Sequence, residues 1–185
     1  GLGYVGLPLT LALAETGADV LGYDIDQDRV HALRSGIDQF DETPSEVIES
    51  TNARFTADPE ELTGRTFFIV TVPTPIDENH QPNLSALISA SQTIGARLER
   101  GAVVVYESTV YPGVTQEVCG PELARASNLI CGEDFFLAYS PERINPGDSV
   151  HGVKNVTKVA GAQDEETLDR VVACYERFVT AGVHR

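Results

Sequence analysis

The sequence has 185 residues, of which 42% are hydrophobic and 22% charged, a composition typical of globular proteins rather than disordered chains. Its formal net charge of −15 argues against nucleic acid as a partner, because a phosphate backbone would be repelled. No apolar run approaches the ~18 residues that a membrane span needs and no signal peptide opens the chain, so we expect a soluble, cytoplasmic protein without a membrane partner.

Segments typical of strands and helices alternate along the chain, which predicts an α/β fold of Rossmann-like, doubly wound type: a mainly parallel sheet with helices on both faces. The segment Thr66–Val72 is almost continuously apolar, as a strand buried on both faces requires. The predicted strands are, in chain order, Asp19–Asp24, Phe67–Val72, Val103–Glu107, Phe135–Tyr139 and Val156–Ala160. We expect a single domain over residues 1–185.

Capping residues indicate where the predicted helices begin and end. The first helix follows the opening residues and runs to about Glu15, and Asp26 caps Gln27–Ser35, with Gly36 as a left-handed C-cap. The other predicted starts are a capping box at Thr43–Glu46, a short turn at Asp58–Glu61, a helix capped by Asn83, and a helix from Asp164 to about Phe178.

Residues 1–6 read Gly-Leu-Gly-Tyr-Val-Gly, a G-x-G-x-x-G run typical of the phosphate-binding turn of dinucleotide sites. Gly1 permits the tight turn, Gly3 lets the backbone approach a pyrophosphate, and Gly6 lets the following helix lie close to the sheet. The phosphates would bind the amide groups at this helix start, including those of Tyr4 and Val5. The strand that should precede the run is absent from the sequence, so we expect a longer protein.

Asp24 lies 18 residues after Gly6, at the end of a predicted strand, where the ribose-binding carboxylate of a dinucleotide site belongs. A carboxylate accepts hydrogen bonds from ribose hydroxyls and repels a 2′-phosphate, so the predicted cofactor is NAD rather than NADP. Arg29 could offset a phosphate charge or pack on the adenine side, and both interpretations stay open.

Three polar clusters follow predicted strands, and parallel strands should bring them to the same sheet edge as the glycine-rich turn. They are Thr71–Pro75, Glu107–Gly113 and Tyr139–Gly147. This topology nominates Thr74, Thr109 and Glu142 as ligand-facing residues, and we add Val72 and Ser108 to the predicted cofactor site. Turn chemistry is the plainer explanation for Ser, Thr and Pro at strand ends.

Four motifs, in this order, resemble the UDP-glucose/GDP-mannose dehydrogenase family. They are Gly-Leu-Gly-Tyr-Val-Gly-Leu-Pro (1–8), Val-Pro-Thr-Pro (72–75), Glu-Ser-Thr-Val-Tyr-Pro-Gly (107–113) and Ser-Pro-Glu-Arg-Ile-Asn-Pro-Gly (140–147). The likeness continues through Thr180–Gly182. The last two motifs are most similar to those of UDP-N-acetylhexosamine dehydrogenases of surface-polysaccharide pathways, with UDP-glucose and GDP-mannose enzymes as alternatives.

The resemblance implies a two-step oxidation of a sugar C6 alcohol to a carboxylate, with two NAD and a cysteine that forms a thiohemiacetal and then a thioester. It implies a catalytic role for Thr109 in ordering a water and for Glu142 in acid/base work, and it implies that Arg29 lies beside the adenosine ribose. The implied partners are a UDP-sugar substrate and a second copy of the enzyme in a homodimer.

The chain departs from the family at some positions. Some members carry a second acid where this sequence has Pro146, so that role is vacant or reassigned. The family's nucleophilic cysteine lies in a Gly-Gly-x-Cys segment, and its catalytic Lys and Asn lie on a central helix, all of which would follow Arg185. We therefore expect residues 1–185 to be the dinucleotide-binding domain without the first strand, the central helix and the C-terminal sugar-nucleotide domain, able to bind NAD but not to turn over.

The three cysteines have a different setting from that nucleophile, and we expect them to be reduced and mostly small core residues; they are Cys119, Cys131 and Cys174. The four histidines lack metal-ligand spacing, so no metal is predicted. One rival function, a short-chain epimerase or reductase, needs a Tyr-x-x-x-Lys pair, which the sequence lacks. The other rival is a non-catalytic dinucleotide-binding module. The acidic composition fits a salt-adapted organism as well as a GC-rich genome.

Overall fold

The structure, a computed structural model, describes residues 1–76, 78, 81–142 and 152–185. The helices are α1 (Gly6–Glu15), α2 (Gln27–Arg34), α3 (Ser45–Ser50), α4 (Ser85–Gly95), α5 (Gly120–Ser127) and α6 (Glu165–Tyr175). The strands are β1 (Leu21–Tyr23), β2 (Arg54–Thr56), β3 (Phe67–Val70), β4 (Ala102–Tyr106), β5 (Phe135–Tyr139), β6 (Lys158–Val159), β7 (Gly161–Ala162) and β8 (Val183–His184). Within these residues, every helix is too short or too polar to span a bilayer.

The central sheet has the strand order β3-β4-β5-β7, in which the first three strands are parallel and β7 is antiparallel to β5. Two further parallel pairs, β1-β2 and β6-β8, form separate sheets. Residues of β1 and β3 line one cleft, and within the described residues no strand pairing joins their two sheets. The predicted strand before Gly1, which would belong beside β1, stays a prediction.

Helices cover both faces of the central sheet, as predicted. All five residues of β4 are buried, and their side chains alternate between two hydrophobic cores. Val104 packs in a core shared with α4 and α5, whereas Val103 packs in a core shared with α1 and α6. A third core lies between α1, α2, α3 and β2. A strand without an exposed side chain is therefore explained by a layer of helices on each side.

Several predicted element bounds were wrong, and most of the errors concern short strands. The predicted strand Val156–Ala160 overlaps only β6, and β7 begins after its predicted end and belongs to a different sheet. The strands β2, β7 and β8 were not predicted, because two or three residues carry no readable hydrophobic period. Helix α6 ends at Tyr175 rather than near Phe178. Pairing with a distant strand, rather than local sequence, decides elements this short.

Most predicted caps are confirmed. The Asp26 side chain accepts from the Asp28 and Arg29 amides, and Gly36 has φ of +76°, a left-handed conformation that glycine adopts without strain. The side chains of Asp58 and Asp164 cap their own turns in the same way. Asn83 Oδ1 accepts from the Ser85 amide, although the N-cap position itself falls on Leu84.

The predicted capping box at Thr43–Glu46 is wrong. Helix α3 begins after Pro44, and no side chain caps it. The Thr43 amide instead donates to the Asp38 carboxylate at 3.0 Å, because this buried carboxylate collects the amides of the loop before the helix. Residues 77, 79, 80 and 143–151 lie outside the described residues, and with them the prediction for Pro146.

Candidate functional site

The first six residues form a tight turn against the end of β3. A Cβ atom on Gly6 would lie 1.9 Å from the Gly1 carbonyl oxygen and 2.6 Å from Thr71 Oγ1. A Cβ on Gly1 would lie 3.0 Å from the Thr71 carbonyl oxygen, and the Thr71 hydroxyl donates to the Gly1 carbonyl at 2.8 Å. Both glycines are thus required by close backbone approach, because any side chain at Gly6 would push the turn away from the sheet.

Gly3 is different, since a Cβ there would meet nothing within 4 Å. Its open side belongs to the cleft, and α1 begins three residues later with no side-chain cap and no acidic residue in its first turn. The uncapped amides and the helix dipole make this end of α1 electropositive. The arrangement suits a phosphate that contacts the main chain directly.

Asp24 follows β1 and points at the turn. Its Oδ2 accepts from the Leu2 amide at 2.6 Å, and its Oδ1 accepts from the Asp26 amide at 3.0 Å. These bonds fix the carboxylate beside the turn while lone pairs remain on both oxygens for ligand hydroxyls. The half-buried carboxylate also lines the cleft. The geometry therefore fits a ribose acceptor, and that role for Asp24 stays a prediction.

Arg29 lies beneath the turn rather than in the cleft. Its side chain is 4% exposed, its Nε donates to the Leu2 carbonyl at 2.9 Å, and its guanidinium forms an ion pair with Asp38 at 2.7 Å. Burial works to raise the pKa of Asp38, but hydrogen bonds from Arg29 and from loop amides outweigh it and lower that pKa. A direct contact between Arg29 and a ribose stays a prediction; the contact that the structure shows is with the loop.

Two apolar side chains beside Asp24 were missed from the sequence. Ile25 is 75% exposed and Phe40 is 54% exposed, and both line the cleft next to Asp24. The Phe40 ring lies 4.7 Å from the Arg29 guanidinium, a cation–π contact that orients the ring. Exposed apolar residues at a cleft suit a flat aromatic ligand. Phe40 belongs to a loop without hydrophobic periodicity, so nothing in the sequence indicated it.

Two side-chain bonds tie together the loops after β3 and β4. The Thr74 hydroxyl donates to the Thr109 carbonyl at 2.6 Å, and the Ser108 hydroxyl donates to the Val72 carbonyl at 2.5 Å. Both loops line the cleft. Ser108 is buried, whereas Thr109 is exposed. The bonds hold the two loops at a fixed spacing.

A buried charge cluster lies behind Thr109 and consists of Glu107, Glu142, Lys158 and Tyr175, which we call the charge cluster. The Lys158 ammonium donates to Glu107 at 2.5 Å and to Glu142 at 3.2 Å, and the Tyr175 hydroxyl donates to the other oxygen of Glu107. Glu107 and Lys158 are 1% and 4% exposed. Of these four residues, sequence reasoning singled out only Glu142 as functional.

Burial has a strong effect on the pKa of the groups in the charge cluster. It raises the pKa of Glu107 to about 7, although the Lys158 ammonium pulls that pKa down. A hydrogen bond involving Glu142 raises the pKa of Glu107 further. Burial and the negative charge of Glu107 both raise the pKa of Tyr175 well above its ordinary value. Glu107 is therefore partly protonated near neutral pH, a range in which acid/base chemistry is efficient.

The turn, Asp24, Ile25, Phe40, the loops after β3 and β4, and Glu107 and Glu142 of the charge cluster line one cleft, which also extends along β1 and β3. Every residue predicted for the site lines it except Arg29. The phosphate-binding turn, the acceptor Asp24 and the apolar Ile25 and Phe40 fit the pyrophosphate, ribose and adenine of a dinucleotide. Within the described residues, no group of His, Cys, Asp and Glu side chains could hold a metal ion.

A family model described as the UDP-glucose/GDP-mannose dehydrogenase family, NAD binding domain, matches residues 1–179. This chain belongs to that family. The predicted family, the α/β fold class and the predicted cofactor, NAD, are thereby confirmed.

Relatives and solved structures extend this result. The chain is 45% identical over 185 residues to the protein CapL of Staphylococcus aureus and 47% identical over 186 residues to the UDP-N-acetyl-D-glucosamine 6-dehydrogenase of Pseudomonas aeruginosa. Each match covers the whole chain but only 43% and 44% of the respective relative. The UDP-D-ManNAc dehydrogenase structure from Pyrococcus horikoshii matches with a TM-score of 0.90 and 32% identity, over all of this chain and 45% of that one.

The cysteines of this family member are poor nucleophiles in the described structure. Cys119 is buried, and Cys131 and Cys174 are partly buried. Burial raises the pKa of all three thiols, that of Cys174 to about 11. Because the thiolate is the reactive form, all three are nearly unreactive at neutral pH.

Proposed function

We propose that this chain is the NAD-binding part of a nucleotide-sugar 6-dehydrogenase that oxidises the C6 alcohol of a UDP-sugar to the uronic acid with two NAD, for capsule or other surface polysaccharide. The favoured substrate is a UDP-N-acetylhexosamine. One observation carries the proposal: the phosphate-binding turn with Asp24 and the carboxyl of Glu142 line the same cleft. We propose a cytoplasmic enzyme and a homodimer as its assembly.

In this proposal the amides around Gly3, Tyr4 and Val5 bind the pyrophosphate, and Asp24 accepts from the adenosine ribose. Arg29 supports the turn from below, next to that ribose. Ile25 and Phe40 flank the adenine. When bound, NAD supplies a hydride acceptor. The geometry of the turn supports these roles, because Gly3 leaves its main chain open to the cleft.

Val72, Thr74, Ser108 and Thr109 form the wall of the cleft at its nicotinamide end. Thr109, whose side chain is exposed in the cleft, orders a water near the reacting carbon. Glu142 removes or returns a proton during hydrolysis of the acyl intermediate, a role that its 9% side-chain exposure and its ammonium partner support. The nucleophilic cysteine belongs to the rest of the enzyme, so this chain alone binds NAD without turnover.

The sugar specificity is proposed from relatives, among them the P. aeruginosa enzyme, whose name specifies UDP-N-acetyl-D-glucosamine. UDP-glucose and GDP-mannose are the alternative substrates within the family. A non-catalytic dinucleotide-binding module is a more remote alternative, and the charge cluster argues against it. A protein that only senses NAD has no use for two buried carboxyls at the nicotinamide end, since burying charge costs stability.

Calorimetry of this chain with NAD, NADP and UDP-sugars tests the cofactor half of the proposal. We expect NAD to bind more tightly than NADP. Asp24→Asn should weaken NAD binding about tenfold and reduce the ratio of NAD affinity to NADP affinity. Equal binding of both nucleotides by wild type would contradict the role of Asp24.

The activity is tested on the full-length enzyme with UDP-N-acetylglucosamine, UDP-N-acetylmannosamine, UDP-glucose and GDP-mannose in parallel. We expect two NADH for each uronic acid formed and the highest kcat/KM with a UDP-N-acetylhexosamine. NAD binding without oxidation of any of the four sugars would favour the non-catalytic module.

A further inference from the structure

The charge cluster raises a question that the proposed function leaves open: why a lysine and a second glutamate are buried next to Glu142. The chain has only two lysines, Lys154 and Lys158. Lys154 forms an exposed bridge with Glu15, whereas the side chain of Lys158 is 5% exposed. Burying an ammonium is costly, so the burial of Lys158 beside two carboxyls that line the cleft calls for a physical reason.

The geometry of the cluster is a chain of three charges. Lys158 Nζ lies 2.5 Å from Glu107 Oε2 and 3.2 Å from Glu142 Oε2, and the Tyr175 hydroxyl occupies the other oxygen of Glu107. The Lys158 ammonium also lies 5.4 Å from the centre of the Tyr175 ring. Both carboxylate oxygens of Glu107 therefore accept hydrogen bonds, and one of these bonds fixes the position of the Lys158 ammonium. Glu142 is the member with the most exposed side chain, at 9%.

We propose that Lys158, anchored by Glu107, is a positioning residue for Glu142: it fixes the Glu142 carboxylate at the edge of the cleft and keeps it ionised, ready to accept a proton. This inference rests on the proposed function, because it assigns a purpose to Glu142 as a base. Neither Lys158 nor Glu107 needs to touch the substrate.

The charge balance of the cluster supports this role. Two carboxyls face one ammonium, and a buried carboxylate without a partner takes up a proton instead of staying charged. Within the described residues, the titratable groups that act on Glu107 are Lys158 from β6, Tyr175 and Cys174 from α6, and Glu142 from the segment after β5. Lys158 is the single cation among them. Its removal should raise the pH at which Glu142 takes up a proton.

A purely structural role is a weaker explanation. Replacing a buried ion pair with apolar side chains of similar volume is often neutral or stabilising, so packing alone does not require these charges. The cluster also meets the cleft on one side, since Glu107 and Glu142 both line it. A structural ion pair would have no reason to open onto the ligand site.

The test uses the full-length enzyme with NAD and its UDP-sugar, and the pH dependence of kcat is measured for Lys158→Met and Glu107→Gln. Lys158→Met should move the acid limb of the profile to higher pH by about one unit and lower kcat near neutral pH about tenfold, with KM for NAD within about twofold of wild type. Glu107→Gln should move the acid limb the opposite way, because Lys158 then serves Glu142 alone. Lys158→Arg should restore most of the lost rate.

Lys154→Met is the matched control, because it removes the other lysine of the chain from an exposed bridge, and it should leave the profile unchanged. Shifts in the same direction for Lys158→Met and Glu107→Gln, or no shift in either, would overturn the proposal. If Lys158→Met does not fold, Glu107→Gln tests the proposal by itself, because glutamine preserves the size and hydrogen bonding of the side chain. The acid limb of its pH profile must then lie at lower pH than in wild type.

A second measurement separates this inference from the proposed function. If wild type binds NAD but oxidises no nucleotide sugar, the proposed function fails, yet ¹³C NMR titration of labelled glutamate carboxyls still reports on the cluster. The Glu142 signal is assigned with Glu142→Gln. It should titrate at a higher pH in Lys158→Met than in wild type. An unchanged Glu142 titration in Lys158→Met overturns the positioning role whatever the activity.

Discussion

The two ends of the cleft are assembled from different kinds of parts. The proposed phosphate end consists of six consecutive residues whose main chain would contact the ligand, with Asp24 hydrogen-bonded to the Leu2 amide. The proposed nicotinamide end consists of side chains from distant segments: Lys158 and Tyr175 lie 51 and 68 residues from the Glu107 that they contact. The first end is specified by backbone shape and the second by charge.

This difference indicates how each end should respond to change. Main-chain amides cannot be mutated away, so the phosphate end is sensitive to added volume and insensitive to most side-chain chemistry. The charge cluster tolerates changes of volume better than changes of charge, because removing one partner leaves the other buried and unpaired. Substitutions that change only the volume or only the charge of a side chain therefore test this difference between the two ends of the cleft.

The largest effect is expected from Gly6→Val. Its Cβ would lie 1.9 Å from the Gly1 carbonyl oxygen, and because that oxygen belongs to the backbone, the turn must move. We expect a loss of about 3 kcal/mol in the free energy of unfolding and a fall in NAD affinity of about 100-fold. Urea unfolding and calorimetry measure the two effects. A variant that keeps wild-type affinity would show that the turn is not the phosphate site.

The next effect concerns the pH dependence of stability and comes from Glu107. Its pKa is about 7 in the folded state against 4.5 as a free side chain, so the folded state holds a proton that the unfolded state releases. Its contribution to stability is complete below pH 4.5 and is lost as the pH rises through 7, a change of about 2 kcal/mol between pH 5 and 8.

Glu107→Gln should flatten this part of the stability profile, as measured by urea unfolding at several pH values. Glu99→Gln, an exposed site, is the matched control and should keep the wild-type slope. Because Glu107 and Glu142 share Lys158, the titration belongs to the pair rather than to one carboxyl. An equal slope in wild type and Glu107→Gln would contradict the raised pKa.

Gly3→Ala tests whether a side chain in the turn can weaken NAD binding without destabilising the fold, in contrast to Gly6→Val. A methyl group at Gly3 meets no atom of the protein within 4 Å and would project toward the space proposed for the pyrophosphate. We expect NAD affinity to fall about tenfold while the free energy of unfolding stays close to wild type. Gly161→Ala, which also meets no atom within 4 Å but lies in β7, should change neither quantity. Equal NAD affinity in Gly3→Ala and Gly161→Ala would show that the pyrophosphate does not bind next to Gly3.

The smallest effect is expected from Thr74→Val, which removes the hydroxyl bond to the Thr109 carbonyl. The loss should be about 1 kcal/mol in the free energy of unfolding, with a modest rise in the KM of the full-length enzyme for NAD. Thr16 does not line the cleft, and Thr16→Val, which removes a hydroxyl bond to the Leu13 carbonyl at the end of α1, should leave that KM unchanged. A KM shift common to both variants would argue against a fixed loop spacing.

The parts that could be predicted from the sequence share one property, which is that neighbours along the chain determine them. The glycine turn, the Asp26 and Asp164 caps and the strand β3 at Phe67 each follow from a few adjacent residues. The errors fall where a distant partner decides: the short strand β2 forms by pairing with β1, and the Thr43 amide is taken by Asp38.

The sequence by itself determined the glycine turn, the position of Asp24 at the end of β1 and the α/β class, because glycine spacing, strand length and helix caps are local constraints on the backbone. The tertiary structure alone decided that Lys158 joins Glu107 to Glu142 and that Arg29 lies beneath the turn. A buried charge is stable only beside its counter-charge, and the fold, not the order of residues, brings the two together.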